Sequence, residues 1–522
     1  MGWNRARVGA LAALVLIAAA GCSSSSSGSS GSSTTAKGST TTTAAVDNTT
    51  TDLGEPVVET TFSTKQGLPF SEPPVLRAKD GVLETSFDVA TATFDVGGTK
   101  VKGEGYAGQL LGPTLLVAPG DTIKIDLENG LGEETNFHTH GLHVSPEGIS
   151  DNVLRVMDPD SDNKIEIALP MDVAPGTYWY HAHLHGLTEP QVFSGLAGAL
   201  IVDGLTERLP ADLQDVPEHL IGLKDLQIDS SGAILTENID SNAPTTRTVN
   251  GLVNPVLDAV PGQTQLLRLA NMSADIWYQL KMDGTSFDVL AEDANPVSKV
   301  TEQDELLLPP GKRFDVLVRW DEAGRYRLRT LQYQTGPDGD QYPERVLATV
   351  NVAGDPVAPV AMPTSMGPAP DLADAPIAQH RKVVFSEDPT TGTFMINGQQ
   401  FDMNEVMYTM KLDTVEEWTI QNTANEEHPF HIHVNDFQVM SVNGKAQPGY
   451  GLQDIVKLPA KGEVVIRMRL TDFVGKYVFH CHILNHEDNG MMAIVEVTED
   501  GKPSASTAND GTTTTMAGMD HS

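Results

Sequence analysis

The sequence predicts an all-β protein built from three consecutive β-sandwich or barrel domains. The chain has 522 residues, whereas a single hydrophobic core stops growing at roughly 250–300 residues. Its 47 glycines and 32 prolines suit many short strands joined by turns, and apolar residues rarely recur at helical spacing. In addition, one turn-and-strand pattern recurs three times along the chain.

The recurring pattern is a turn followed by an alternating apolar strand that ends at asparagine. It occurs at 119–129, with the sequence PGDTIKIDLEN, and again at 261–271, with PGQTQLLRLAN. A fainter copy lies at 413–422, with DTVEEWTIQN. Alternation of this kind is typical of a strand with one buried face. Three copies at domain-sized spacing predict three β domains of one kind.

The predicted domains are separated and flanked by segments of biased composition. The domains are expected at residues 55–204, 205–354 and 377–500, with a Pro- and Ala-rich linker at 355–376. Residues 22–54 are rich in Ser and Thr, and the tail 501–522 is similarly biased. Such segments cannot bury enough apolar surface to offset their ordering entropy, so we expect a flexible tether and a flexible tail.

The first residues have the pattern of an export signal. In residues 1–21, Arg5 and Arg7 precede the apolar run 8–20, which is shorter than the about 20 residues that span a membrane. Cys22 follows three small residues, as the lipidated cysteine of a bacterial lipoprotein does. We expect an exported cell-envelope lipoprotein anchored at Cys22, with secretion or a periplasmic location as the alternative, and no other membrane contact.

The charge balance is strongly acidic, with 70 Asp and Glu against 34 Lys and Arg. Nucleic-acid binding needs a basic face, so we expect no nucleic-acid partner. An acidic surface favours solubility and attracts cations. Only two cysteines occur, Cys22 and Cys481. Because Cys22 ends the export signal, Cys481 has no disulfide partner and is a candidate metal ligand.

Twelve of the 15 histidines occur in four clusters built on the pattern His-x-His. The clusters are His138, His140 and His143; His181, His183 and His185; His428, His431 and His433; and His480, His482 and His486. On a strand, residues two apart point to the same face, so each pair presents two imidazoles side by side. Imidazole suits copper, zinc, iron and nickel. Four pairs, two early and two late, indicate a metal site drawn from both halves of the chain.

The last cluster adds a thiolate to these imidazoles. Cys481 alternates with its neighbours along the strand, so its sulfur points away from theirs. His486 follows five residues later and Met491 ten residues later. With His428, these residues form the ligand set of a blue-copper electron-transfer site. Zinc would explain the histidines but not this loop, because a thioether is a poor zinc ligand.

Together the motifs resemble those of three-domain multicopper oxidases of the laccase type, which include bacterial spore-coat laccases and periplasmic cuprous oxidases. The likeness covers residues 55–500, and the matching segments are 138–141, 179–183 with 195–202, 428–433 and 480–491. It implies cupredoxin-like Greek-key domains, and four copper ions as cofactors. The implied ligands are His428, Cys481, His486 and axial Met491 for type 1; His138 and His431 for type 2; and His140, His181, His183, His433, His480 and His482 for the type 3 pair.

The resemblance also implies where the copper cluster lies and how it is supplied with protons. The three-copper cluster would lie between the first and third domains, with the middle repeat as a spacer or wall. Glu487 and Asp151 match acids that relay protons in similar bacterial laccases, although Asn152 follows Asp151 where the family often has glycine. The alternative is that both acids only accept hydrogen bonds. We expect His143 and His185 to orient ligands or support the fold.

Three functions compete for this metal machinery. The first is laccase-like oxidation of phenols or similar aromatics, coupled to four-electron reduction of dioxygen to water. The second is a metallo-oxidase that acts on Cu(I), Fe(II) or Mn(II) in metal homeostasis. The third, a copper-binding electron carrier without oxygen reduction, would need only the Cys481 site. Cuprous oxidases often carry a Met-rich insertion, whereas Met403, Met407, Met410 and Met440 are scattered here, which favours a laccase-like activity.

Overall fold

The computed structural model describes residues 58–388 and 390–504, in which strands predominate. The described helices are α1 (Thr188–Ser194), α2 (Leu484–Asp488) and two 3-10 turns, Thr206–Arg208 and Ala211–Leu213. The prediction of an all-β fold is therefore confirmed. Within the described residues, no helix is long and apolar enough to cross a membrane. The predicted export signal, Cys22, the tether and the tail beyond residue 504 lie outside the described residues.

The first group of strands forms two sheets. Its members are β1 (Val75–Arg77), β2 (Val82–Val96), β3 (Thr99–Tyr106), β4 (Gly112–Val117), β5 (Thr122–Asn129), β6 (His138–His140), β7 (Ser161–Ala168), β8 (Gly176–His181) and β9 (Ala197–Val202). One sheet has the order β1-β4-β9-β8-β6, and the other has the order β3-β2-β5-β7. The helix α1 connects β8 to β9.

The second group forms two larger sheets and a ribbon. Its members are β10 (Glu218–Leu226), β11 (Thr246–Val249), β12 (Val256–Ala259), β13 (Gln263–Asn271), β14 (Tyr278–Met282), β15 (Phe287–Glu292), β16 (Asn295–Gln303), β17 (Glu305–Leu308), β18 (Arg313–Trp320), β19 (Gly324–Leu331), β20 (Tyr333–Gln334), β21 (Gln341–Tyr342) and β22 (Arg345–Val352). The sheet orders are β11-β10-β13-β18-β15-β16 and β12-β22-β19-β14-β17, and β20 pairs with β21.

The third group again forms two sheets. Its members are β23 (Ile377–Asp388), β24 (Thr393–Ile396), β25 (Val406–Lys411), β26 (Thr414–Asn422), β27 (His428–Ile432), β28 (Phe437–Val442), β29 (Lys445–Ala446), β30 (Ile455–Leu458), β31 (Glu463–Leu470), β32 (Gly475–Cys481) and β33 (Met492–Thr498). The sheet orders are β24-β23-β26-β31-β28-β29 and β25-β33-β32-β27-β30. Each group lies inside one predicted domain range, and the exact domain boundaries stay predictions.

The repeated sequence pattern forms the same strand in each group. The strands β5, β13 and β26 each pair in parallel with the first long strand of their group and antiparallel with a later one. The closing asparagines Asn129, Asn271 and Asn422 are buried. Each accepts a hydrogen bond from the backbone N–H two residues on and donates to backbone carbonyls. The asparagine thus closes a side-chain turn where the strand ends.

Burial alternates along β5 and most of β26, as the sequence pattern predicts, whereas β13 is buried on both faces. In β5, Ile123, Ile125 and Leu127 are buried between the sheets, while the intervening side chains are partly or fully exposed. Each such side chain contributes about 1.5–3 kcal/mol to folding when it is fully buried. In the third group, Trp418 and Phe479 are fully buried with an edge-to-face contact. The packed sheets hold the histidine-bearing strands in place.

Candidate metal centres

The four histidine clusters lie at the ends of neighbouring strands. β6 pairs antiparallel with β8, which places His138 opposite His181. In the third group, β27 pairs antiparallel with β32, which places His431 opposite His480 and Phe430 opposite Cys481. The two early clusters therefore lie side by side, and so do the two late clusters. The two pairs of strands face each other and enclose eight buried imidazoles. We call this set the histidine nest, and its members are His138, His140, His181, His183, His431, His433, His480 and His482.

Three imidazoles of this nest converge on one point. The Nε2 atoms of His183 and His480 are 3.2 Å apart, and that of His433 is 3.2 Å from the first and 3.3 Å from the second. All three side chains are buried. Burial lowers the pKa of His183 and of His480 to about 4. The rings are therefore neutral at ordinary pH, which is the form that binds a metal.

The remaining five imidazoles surround the neighbouring space. His140 Nδ1 lies 3.2 Å from His482 Nε2. The buried Nε2 atoms of His138, His181 and His431 have no hydrogen-bond partner. Buried polar atoms are seldom left unpaired, so the orphaned nitrogens identify positions at which metal ions fit. The nest draws His138, His140, His181 and His183 from the first group of strands and His431, His433, His480 and His482 from the third.

A second centre lies on the other side of Cys481. Its Sγ is 3.5 Å from His428 Nδ1 and 3.7 Å from His486 Nδ1, and these two nitrogens are 3.3 Å apart. Burial raises the pKa of the Cys481 thiol, so a cation is needed to stabilise its thiolate. Met491 is fully buried, its N–H donates to the His486 carbonyl, and its carbonyl accepts from the Cys481 N–H.

Glu487 and Asp151, the two acids predicted to relay protons, both contact the eight-histidine nest. Glu487 Oε2 lies 2.9 Å from His480 Nδ1, and its Oε1 lies 3.4 Å from His183 Nδ1. Asp151 Oδ1 lies 2.9 Å from His138 Nδ1. Burial raises the pKa of each carboxyl group to about 7. Asp151 therefore holds the outward nitrogen of His138 by a hydrogen bond. Glu487 lies against the outward nitrogens of His183 and His480, and His480 Nδ1 donates to the Cys481 carbonyl at 2.9 Å.

The structure keeps the two remaining clustered histidines out of the nest. His143 Nδ1 donates to the Val434 carbonyl at 2.7 Å, and its Nε2 lies 3.0 Å from Asp472 Oδ2. Val434 follows His433 directly and has a φ of +65°, which is strained for a β-branched residue. His143 thus joins the first group of strands to this strained position. His185 is exposed, and its ring centroid is 4.6 Å from that of Phe401.

Sequence reasoning missed a buried ion pair beside the nest. Asp454 Oδ1 lies 3.2 Å from His140 Nε2, and both carboxylate oxygens of Asp454 accept hydrogen bonds from Arg313, at 2.8 and 2.7 Å. Arg313 begins β18 in the middle group, which we expected to be only a spacer or wall. Neither residue stands at a recognisable spacing from a histidine cluster, so no local signal could have identified this pair.

A small acidic cavity opens beside His486. Its volume is about 170 Å³, and its lining includes five carboxylates, from Glu189, Asp240, Asp275, Asp340 and Glu426. No lysine, arginine or methionine is among the described residues that line it. The carboxylates come from all three groups of strands. Burial raises the pKa of Glu189 to about 7, that of Glu426 to about 8 and that of Asp275 well above its usual range, so a cation that enters this edge of the centre containing Cys481 would displace protons from them.

Comparison with known proteins gives the same family over most of the chain. Sequence profiles described as multicopper oxidase match residues 88–207, 223–351 and 373–501. The multicopper oxidase mco of Staphylococcus haemolyticus (strain JCSC1435) is 32% identical over 409 residues, which span 76% of this chain and 83% of that protein. The cell division protein FtsP of Escherichia coli (strain K12) is 29% identical over 424 residues, which span 77% and 86%.

Solved structures agree with the sequence matches. A multicopper oxidase from Campylobacter jejuni, described as a metallo-oxidase, has a TM-score of 0.73 at 26% identity and covers 83% of this chain and 96% of its own. A laccase from Pediococcus acidilactici Pa5930 has a TM-score of 0.74 at 26% identity and covers 84% and 95%. The chain therefore belongs to the multicopper oxidase family, and it is a cupredoxin-like, copper-dependent oxidoreductase of a family that binds four copper ions.

Proposed function

We propose that this chain couples one-electron oxidation of a small reductant to the four-electron reduction of dioxygen to water. In this proposal His428, Cys481, His486 and Met491 hold type 1 copper, and His138 and His431 hold type 2 copper. The type 3 pair is held by His140, His181, His183, His433, His480 and His482. The copper ions supply the one-electron redox chemistry when they are bound. Orphaned nitrogens in the nest and the thiol between two imidazoles support this assignment.

The position of Cys481 carries the proposal. Its sulfur belongs to one centre, while the imidazoles of its direct neighbours His480 and His482 belong to the other. The chain therefore provides a covalent route of side-chain and backbone bonds between the two centres. A carrier without oxygen chemistry would not need the eight-imidazole nest, so the third alternative is disfavoured.

The test is Cys481→Ser in copper-loaded protein. We expect loss of the intense blue colour and loss of reductant-dependent oxygen uptake, because serine cannot supply the thiolate of a blue-copper site. Cys22→Ser is the matched control and should keep both properties. Oxygen uptake that persists in Cys481→Ser would contradict the proposal.

Glu487 and Asp151 are proposed to deliver the protons that oxygen reduction consumes. Glu487 bridges His183 and His480 on the side away from the metal positions, and Thr188 Oγ1 donates to its Oε1 at 3.2 Å. Asp151 holds His138 and accepts from Thr139 Oγ1 at 2.8 Å. A carboxyl group at such a position can hold a proton on an oxygen within hydrogen-bond reach of the nest.

The acidic cavity favours a metal cation as the second candidate for the reductant. The lining has five carboxyl groups and, among its described residues, no lysine or arginine, so a bound cation would offset their mutual repulsion at the edge of His486. Carboxylate oxygen suits hard ions, and the absence of a lining thioether favours Fe(II) or Mn(II) over Cu(I). The similar Campylobacter jejuni protein is described as a metallo-oxidase. Laccase-like oxidation of phenols stays a prediction from the sequence.

Side-by-side steady-state oxygen uptake with Fe(II), Mn(II), Cu(I) and a neutral phenol separates these candidates. A metallo-oxidase should show its highest kcat/KM with Fe(II) or Mn(II), and raising the ionic strength should lower that value while the phenol rate stays constant. A higher kcat/KM for the phenol, insensitive to salt, would favour the laccase-like function. In that case the acidic cavity would not support a role in metal homeostasis.

We also propose that the protein is exported and anchored through lipidated Cys22. The support is the charged and apolar pattern of residues 1–21 followed by small residues. Metabolic labelling with a fatty-acid analogue should mark the natural chain and not Cys22→Ser. If both forms are unlabelled and both are released to the soluble fraction, secretion or a periplasmic location replaces the anchor.

A further inference from the structure

A turn of the middle group of strands lies directly against the histidine nest. This turn, at 309–313, joins β17 to β18 and contains Gly311, whose φ is +79°. A Cβ at Gly311 would lie 2.9 Å from His482 Nε2 and 2.6 Å from Ile455 Cδ1. The nitrogen concerned is the one that faces His140 Nδ1. Glycine is thus required both by the left-handed backbone and by contact with the metal-facing edge of an imidazole.

The same turn ends at Arg313, which is fully buried and contacts all three groups of strands. Its Nη1 and Nη2 donate to Asp454 in the third group, and its Nε donates to the Thr177 carbonyl in the first group at 3.1 Å. Such a forked pair fixes the orientation of the carboxylate more firmly than a single bond does. Gly141 leaves room for the pair, because a Cβ there would overlap both side chains.

Asp454 in turn contacts one imidazole from each half of the nest. Its Oδ1 faces His140 Nε2 at 3.2 Å, and its backbone carbonyl lies 2.8 Å from His431 Nδ1. These contacts hold the outward nitrogens, so His140 turns Nδ1 inward and His431 turns Nε2 inward. The two rings stack with centroids 3.9 Å apart. The Asp454 carboxylate, whose direction Arg313 fixes, therefore sets which nitrogen His140 offers, and the backbone carbonyl of the same residue sets which nitrogen His431 offers.

We infer that the turn 309–313 of the middle group is a positioning element for the eight-histidine centre, acting through Gly311 on His482 and through the Arg313–Asp454 pair on His140 and His431. The middle group supplies none of the eight nest histidines, yet it determines how three of them are aligned. This inference rests on the proposed function only in assigning copper to the nest.

A second buried pair offers a matched control. Arg268 pairs with Asp315 at 2.9 Å, and Asp315 accepts a hydrogen bond from the Thr177 N–H at 3.0 Å. Like Arg313, Arg268 is buried, belongs to the middle group and joins it to the first group. Within the described residues, Arg268 bonds to Glu218, Thr177 and Asp315 and to no histidine of the nest. Arg268 also donates through Nε and Nη2 to Glu218 Oε2 at 3.0 and 2.7 Å. Replacing either arginine by lysine keeps the charge but removes part of its set of hydrogen bonds.

The first experiment compares Arg313→Lys with Arg268→Lys after copper loading. We expect both variants to lose thermal stability, and both should keep the visible band of the thiolate-bound copper. Only Arg313→Lys should lose about 10–100-fold in copper affinity at the nest, as loss of an outer ligand contact typically does. Copper per chain, the type 2 EPR splitting and the near-ultraviolet band of the type 3 pair report that loss. Equal nest copper and spectra in the two variants would overturn the inference.

The second experiment remains informative if Arg313→Lys does not fold. Gly311→Ala places a methyl group against His482, whereas Gly251→Ala introduces a side chain at the same φ of +79°, where the nearest atom is Leu110 Cδ2 at 3.5 Å. Both substitutions carry the same backbone strain. We expect nest copper and the type 3 band to fall in Gly311→Ala alone. If Gly311→Ala matches Gly251→Ala in copper content and spectra, the turn does not position the nest. The unsubstituted protein's colour and oxygen uptake test the proposed function separately.

Discussion

Removing two carboxylates from the acidic cavity tests what kind of reductant it accepts. Glu189→Gln keeps the amide contact with Asn485, whose Nδ2 donates to the carboxylate at 2.9 Å. Asp240→Asn alters an exposed side chain that lines the same cavity. Neither residue is among the proposed copper ligands. Burial raises the pKa of Glu189 to about 7, so above that pH the pair of substitutions removes negative charge from the cavity while leaving the metal centres in place.

The size of the effect follows from Coulomb's law. A divalent ion about 5 Å from one carboxylate gains about 1.7 kcal/mol at the dielectric of water, and more where the cavity walls exclude water. Screening by salt reduces this value, so we expect about 1–2 kcal/mol for each carboxylate. A loss of that size lowers kcat/KM for Fe(II) about 5–30-fold in each single variant. A neutral phenol carries no net charge, so its kcat/KM should not change when these carboxylates are removed.

The assay is initial-rate oxygen uptake with Fe(II) and with a neutral phenol at two ionic strengths. Glu84→Gln serves as the control, because Glu84 is an exposed carboxylate on β2 that does not line the cavity. Unchanged Fe(II) kinetics in both cavity variants would refute the reasoning. An equal fall for Fe(II) and phenol would also refute it, because charge attraction cannot act on an uncharged reductant.

Three further predictions concern Glu487, His143 and Glu104, which is partly buried on β3. Glu487→Gln should lower kcat at saturating reductant about 100-fold or more while copper content is unchanged, since the amide cannot relay protons. His143→Ala should lower the free energy of unfolding in urea by about 1.5–3 kcal/mol through loss of its bonds to Val434 and Asp472, and Val434→Gly should recover part of that loss. Burial raises the pKa of Glu104 to about 7, so Glu104→Gln should stabilise the protein by about 1–3 kcal/mol above pH 7 and not below pH 4.5.

Each of these outcomes has a control. Thr188→Val removes one hydrogen bond to Glu487 but keeps the carboxylate, so it should retain most of the turnover; equal turnover in Glu487→Gln and the natural chain would exclude the relay. Strictly additive effects of His143→Ala and Val434→Gly would show that His143 does not support the strained backbone. For Glu104, the charged form is disfavoured in the folded state, so its cost appears as pH rises from 4.5 to 7. A pH-independent gain would contradict this explanation.

Local patterns in the sequence predict the strands and both candidate centres. The spacing of two in His138 and His140 is a property of any strand, and the asparagine-ended repeat is closed by contacts within a few residues. The Arg313–Asp454 pair joins residues 141 positions apart, and no local pattern carries such a contact. The acidic cavity likewise collects carboxylates from distant segments. The sequence therefore predicts the ligand residues from local patterns, but it does not predict which distant residues surround them.

The mutual facing of eight neutral imidazoles has a consequence for how the molecule assembles. Without a cation between them, desolvated nitrogens at 3.2–3.3 Å oppose the approach of the two strand pairs that carry them. Metal uptake and closure of the interface are therefore linked equilibria, in which each favours the other. Where copper is scarce, this linkage shifts the population toward a looser form in which proteases can reach the interface. We therefore expect proteases to digest the copper-free protein faster than the copper-loaded protein.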